Sequence, residues 1–247
     1  MKKATLLCGM LLALTASVAS AAGLQIHWNA CGGAGVQDQA FACDADDAFF
    51  QAVAQFQMPV ALSGVTGVEF TVDLASASPT LPPWWQFNAG ECRDSQLAVT
   101  EGTPSAVACP DWAGNNASGG LAAYNEGAFG PNTAHILGGF AVAAAKARSL
   151  TTTPNYFVFN IIMSSANTVV GPPICPGCQV PVCIVFNGLK VVPGTAQPTV
   201  ISNAAAPGSN FVTWQGGQGT GTILGTVCPQ ATPTHKSTWG AVKSLYR

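Results

Sequence analysis

Residues 156–163 and 182–192 constrain what this chain can fold into more than any other part of it. In Tyr156-Phe157-Val158-Phe159-Asn160-Ile161-Ile162-Met163 both alternating sets are apolar, so neither face of the strand is built for water. Cys183, Val185 and Leu189 interleave with Ile184, Phe186 and Val192 in the same way, and the β-branched and aromatic content selects strand over buried helix. Both runs therefore read as central strands of a sandwich or barrel. Between them Pro172, Pro173, Pro176, Gly177 and Pro181 interrupt any ladder and predict a rigid loop, which carries Cys175-Pro176-Gly177-Cys178.

The 247 residues show no composition shift that divides them, and they read as one domain with short appendages. Lys2 and Lys3, an apolar run over 4–18 and Ala19-Ser20-Ala21 have the layout of a cleaved secretory signal peptide. This places a leader at 1–21, a disulfide-stapled β-sandwich at 22–230 and a tail at 231–247, with no membrane span in the mature chain. Without Lys2 and Lys3, seven basic side chains face eleven acidic ones, a net charge of about −4. A surface so mildly acidic and so poor in charge argues against a nucleic-acid partner and leaves self-association open.

Past the leader stand Cys31, Cys43, Cys92, Cys109, Cys175, Cys178, Cys183 and Cys228. An even count behind a secretory leader reads as four disulfides. Locality suggests the pairs Cys31–Cys43, Cys92–Cys109, Cys175–Cys178 and Cys183–Cys228, the longer loops each contributing about 3 to 4 kcal/mol in the chain-entropy model.

Leu24, Ile26 and Trp28 alternate with Gln25, His27 and Asn29, a half-buried first strand with His27 facing solvent. Asp44, Asp46 and Asp47 are a weak calcium candidate; no acidic ligand at a fitting distance completes the pattern, which favours a loop before residues 48–56. Val68, Phe70, Val72 and Leu74 alternate with Glu69, Thr71 and Asp73, the clearest amphipathic strand in the chain. Residues 75–87 end in Trp84-Trp85-Gln86-Phe87 on a proline-stiffened segment. If extended, neighbouring indoles point opposite ways, so that one packs inward and the other is presented, as on a sugar-binding platform; the reading preferred over this one is that Trp84 and Trp85 simply plug the end of the sandwich. Cys92 to Cys109 suggests a small lobe, residues 115–130 read as loop, and residues 135–145 as strand or helix. Shorter strands follow at 199–202, 211–215 and 222–224. Trp239, Val242 and Leu245 have helical spacing behind Ser237 or Thr238 as N-cap, which makes the tail a short helix or a sorting signal.

The Leu81-Pro82-Pro83-Trp84-Trp85-Gln86-Phe87 segment with Cys92, the Cys175–Cys178 loop running into Pro181-Val182-Cys183-Ile184-Val185, and the tail from Trp239 to Arg247 together resemble a group of secreted bacterial proteins known from environmental genomes. The resemblance spans most of the mature chain; it implies secretion and a shared fold, and carries no activity. At fold level the strand pattern is also similar to cohesin-type and carbohydrate-binding β-sandwiches, an architecture that fixes no function.

Cys175 and Cys178 have the spacing of a redox dithiol, but a proline-rich loop stands where a pKa-lowering helix N-terminus is needed. Zinc binding by Cys175, Cys178 and Cys183 conflicts with an oxidising compartment, and Gln179 stands where a haem-attachment motif needs histidine. Hydrolase motifs are absent, and His27, His135 and His235 have no acid or nucleophile close by in sequence. Asp73, Glu91, Asp94 and Glu101 are acids from which a glycosidase pair would have to be drawn, as in any chain with eleven. The expectation is an all-β antiparallel sandwich of jelly-roll, cohesin or carbohydrate-binding-module type. Its expected role is non-catalytic, extracellular or at the cell surface, structural or adhesive, without cofactor, its partner a polysaccharide or cell-surface component. The alternatives are a carbohydrate-binding module using Trp84, Trp85 and Phe87, and a thiol oxidoreductase using Cys175 and Cys178.

Overall fold

The computed structural model describes residues 22–31, 35–102, 109–206 and 208–215, and the backbone of 222–223 and 226–227. The expected leader, the tail with its expected helix, and Cys228 lie outside the described residues. Two sheets pack face to face. The smaller holds β1 (Gly23–Trp28), β3 (Phe49–Gln57), β9 (Asn155–Ser164) and β5 (Leu97–Thr100), in that order. The larger runs β2 (Asp38–Gln39), β12 (Phe211–Trp214), β10 (Val182–Pro193), β4 (Leu62–Ser76), β7 (Thr133–Ala141) and β6 (Ser118–Glu126). Two short strands, β8 (Arg148–Leu150) and β11 (Thr199–Ile201), pair with β4 and β10 respectively. β13 (Thr222–Ile223) and β14 (Thr226–Val227) form a separate two-residue ladder. Apart from the parallel β2–β12 pair, the ladders between these strands are antiparallel.

The two organising runs are central, one in each sheet: β9 lies between β3 and β5, and β10 between β12 and β4. Phe159 and Phe186 meet across the sandwich at 5.2 Å. Apolar character on both faces of β9 has a specific cause. Tyr156, Val158, Phe159, Ile161 and Met163 join the main core, while Phe157 packs on the outer face with Cys31 and Val53. A bulge opposite Ala54 and Gln55 puts Val158 and Phe159 on the same side. β4 behaves as its alternation predicts, with Val68, Phe70, Val72 and Leu74 inside and Glu69, Thr71 and Asp73 outside.

Residues 118–126, expected to be loop, form β6. Glycine and alanine have little β-propensity, but here they fit the close approach of β7: a Cβ on Gly119 would come within 2.1 Å of the Gly139 carbonyl oxygen. The run at 135–145 resolves as strand β7 rather than helix. His27 does not face solvent. It is buried beside Gly35, and accepts the Gln55 amide N–H at Nδ1 (2.8 Å). Desolvation lowers its pKa, which keeps it neutral.

The disulfides differ from those that locality suggested. Cys31 bonds Cys109 rather than Cys43, Cys43 bonds Cys178, and Cys92 bonds Cys175. These bridges span 78, 135 and 83 residues, because the fold brings distant segments together, Cys31 and Cys109 on the outer face of the small sheet and the other two pairs between loops. Loops of that length correspond to about 4 to 5 kcal/mol each in the chain-entropy model. No separate lobe is closed between Cys92 and Cys109. Cys183 is also disulfide-bonded, and Cys228, its expected partner, lies outside the described residues.

At one end of the sandwich the aromatic residues converge on Trp214. Its ring centroid lies 4.3 Å from Phe41, 4.7 Å from Phe50, 4.8 Å from Trp84 and 5.4 Å from Trp85. Its indole N–H donates to the Cys178 carbonyl at 2.6 Å. Replacing Trp214 by alanine empties the point where both sheets, the Trp84 turn and the disulfide loop meet. Urea unfolding of Trp214→Ala is expected to show a loss of about 3 to 5 kcal/mol relative to wild type.

Candidate functional site

The Trp84–Trp85–Phe87 segment is not a surface platform. Pro83–Trp85 forms a single 3-10 turn rather than an extended strand, so the two indoles do not alternate. They meet edge to face at 5.0 Å, both fully buried, and Phe87 is buried with them. Trp84 donates its indole N–H to the Thr168 hydroxyl, and the Tyr124 hydroxyl donates to the Trp85 carbonyl. No face of either ring is open to a sugar.

Arg93 lies beneath this turn, fully buried, with its guanidinium 4.0 Å from the Trp84 ring centroid. It donates to the carbonyls of Trp84 and Ser164. Desolvation lowers its pKa to about 10, with Asp46 opposing, so it remains charged at neutral pH. Asp46, from the calcium candidate, serves instead as a staple. Its Oδ1 accepts the N–H groups of Thr168 (2.6 Å) and Val169 (2.9 Å), and its Oδ2 that of Val170 (2.7 Å). Three N–H dipoles aimed at one carboxylate turn its lone pairs away from a cation. Among the described residues no cluster of three or more His, Cys, Asp or Glu is placed to hold a metal.

Cys175 and Cys178 do not form a dithiol pair. Both are buried, and each bonds a distant partner on a separate loop, Cys92 and Cys43. Together with Asp46, these bridges fix residues 168–178 as a rigid loop. The side chains at its tip project outward: Val170 is 68% exposed, Ile174 56% and Val169 41%, and Phe49, which pairs with Ser164 at the loop's root, is 74% exposed. Residues 165–178 contain no charged side chain.

The outer face of the large sheet carries a second arrangement that sequence reasoning missed. The β4–β7 register sets Asp73 opposite His135, although 62 residues separate them. Asp73 bonds His135 Nδ1 through Oδ1 and accepts the Asn187 amide N–H at Oδ2. Asn187 sits at a bulge in β10 between Phe186 and Gly188. Asn125 of β6, exposed, stands opposite His135 on its other side. Among the described residues, His135 Nε2 makes no hydrogen bond. Beside this polar row runs a shallow groove of about 440 Å³ over Thr71, Leu137 and Gly188, bounded on its far side by the Glu69–Lys190 ion pair (2.9 Å). The only sequence signal for this site was the polar outer set of β4; the partners of Asp73 depend on strand register. Of the other acids considered for a glycosidase, Asp94 accepts the Gly90 N–H and the Ser95 hydroxyl within its own turn.

No protein-family model matches the sequence, and no curated protein matches it. Among solved structures, the chain is similar to a cohesin module from a family 33 glycoside hydrolase of Clostridium perfringens, at 8% identity and a TM-score of 0.34, covering 78% of this chain and 93% of that one. It is also similar to the second type II cohesin module of the cellulosomal adaptor ScaA scaffoldin of Acetivibrio cellulolyticus, at 6% identity and a TM-score of 0.34, covering 72% and 89%. No helix among the described residues is long and apolar enough to cross a membrane.

Bonding to three N–H groups, that of Val169 foremost, holds the Asp46 carboxyl below its ordinary pKa despite some desolvation. A carboxylate with a depressed folded pKa adds stability above its unfolded pKa, about 4, and this contribution disappears as pH falls through the folded value. Thermal unfolding of wild type and Asp46→Asn is therefore expected to show a Tm gap that is full at neutral pH and narrows progressively below about pH 4.

Proposed function

We propose that this is a secreted, non-catalytic protein of the extracellular space or cell surface, with a structural or adhesive role. The observation that carries the reading is the rigid apolar loop. Val169, Val170 and Ile174 stand in solvent on a segment locked by the Cys92–Cys175 and Cys43–Cys178 bridges and by three N–H bonds to Asp46. Exposed apolar side chains that cluster on a surface mark interaction sites, and a loop held rigid in advance loses little entropy on docking. Three disulfides support an oxidising compartment. Several titratable groups that sequence reading considered for chemistry have structural duties: Asp46 staples, Cys175 and Cys178 cross-link, and His27 is buried and neutral.

The test uses the mature protein with its tail. Wild type is expected to self-associate in analytical ultracentrifugation, or to sediment with envelopes of the producing cells. A Val170→Asp, Ile174→Asp double variant should lose that association by about ten-fold or more while keeping its Tm. A wild type that stays monomeric and binds neither itself nor cells would contradict the adhesive reading.

A further inference from the structure

We propose that the outer face of the large sheet holds a binding site for a neutral oligosaccharide, with Phe129 as its aromatic platform and the Asp73–His135–Asn125 row as its polar wall. The site is separate from the apolar loop and does not depend on the role assigned there.

Phe129 lies in the connection between β6 and β7 and is 65% exposed. Its position is fixed: its backbone N–H donates to the Thr133 hydroxyl at 3.0 Å, and that hydroxyl donates to the Gly130 carbonyl at 2.8 Å. The ring meets the His135 imidazole edge to face at 5.3 Å, with an interplanar angle of 86°. An exposed aromatic held rigidly beside hydrogen-bonding side chains has the two-sided character that a pyranose needs, since the sugar has an apolar C–H face and a rim of hydroxyl groups.

The neighbouring groups supply both halves of the hydroxyl's hydrogen bonding. Asp73 offers acceptor lone pairs, the exposed Asn125 amide offers donor and acceptor, and His135 Nε2 points to no other group among the described residues. A groove lies next to this row along the strands, lined by Thr71 and Leu137, and reaches the Glu69–Lys190 pair, four residues of strand from Asp73 or about 13 Å. Gly188 keeps its floor open: a Cβ there would approach the Thr71 hydroxyl to 2.8 Å.

Charge decides the class of ligand. Among the described residues of the row and its groove the one lysine, Lys190, is paired with Glu69, while Asp73 adds a carboxylate hydrogen-bonded by His135 and Asn187, so the site offers no free cation to a phosphate or an acidic polymer. A neutral polyhydroxyl chain matches a wall that offers acceptors and amide donors without a free cation.

The experiment is native affinity electrophoresis of the mature protein through gels containing hydroxyethylcellulose, mixed-linkage β-glucan, xylan or galactomannan. Wild type is compared with Phe129→Ala and Val170→Asp, each first shown to unfold at the wild-type temperature. Wild type is expected to be retarded in at least one gel. Phe129→Ala should weaken that retardation by about ten-fold, the effect of losing one aromatic contact, and Val170→Asp should leave it unchanged. Free migration of wild type in all four gels, retardation that survives Phe129→Ala, or equal loss in Val170→Asp would each overturn the proposal. Failure here leaves the adhesive reading of the loop standing, because that rests on association and not on sugar.

Discussion

The packing of aromatic rings around Trp214 is the interaction on which the rest of the structure depends. Trp28 comes from β1, Phe50 from β3, Trp84 and Trp85 from a 3-10 turn, Phe41 from the segment after β2, and all stand within 6.1 Å of the Trp214 ring. Each large ring buries apolar area that a small side chain cannot replace, and the edge-on geometries add to that burial. The indole N–H donates to the Cys178 carbonyl, which fixes the end of the disulfide loop to the same point. Sheet, turn and loop are thus positioned by one cluster, and the Cys43–Cys178 bridge closes over it.

Polar groups at this end are used mainly to hold loops in place. Arg93 is fully buried and charged, stacked on Trp84 and bonded to two carbonyls, and the partly exposed Asp46 gathers three consecutive N–H groups. A buried charge such as that of Arg93 would be prohibitively costly without its partners, so their presence fixes the geometry of the segments it touches. The result is a rigid end bearing an apolar loop. The outer face of the large sheet differs, because Asn125 is exposed there beside the partly exposed Asp73 and His135. One scaffold thereby presents two surfaces of different chemistry, one apolar and one polar with an aromatic edge.

How well the sequence could be read followed the physical origin of each feature. β4, β9 and β10 were legible because burial imposes period-two patterns on strands wherever a face is apolar. β6 was not, since its ladder is held by β7 and its glycines are required by the close approach of that neighbour, a property absent from local propensity. The two adjacent indoles were read as alternating on the premise of extended backbone. The chain instead turns at Pro83, and both rings enter the core. His135 had no acid near it in sequence, yet register places Asp73 directly opposite.

The sequence by itself determined that this chain makes an all-β sandwich with its two densest apolar runs at the centre, because each run must find an apolar layer on both sides. It also determined that the cysteines would cross-link. Only the tertiary structure decided which thiols meet, which aromatic residue is buried and which is displayed, and which polar side chains come together. Pairing across 62, 78, 83 or 135 residues depends on strand register and on which loops the fold brings side by side. Those relations arise from packing in three dimensions, and no local spacing along the chain encodes them.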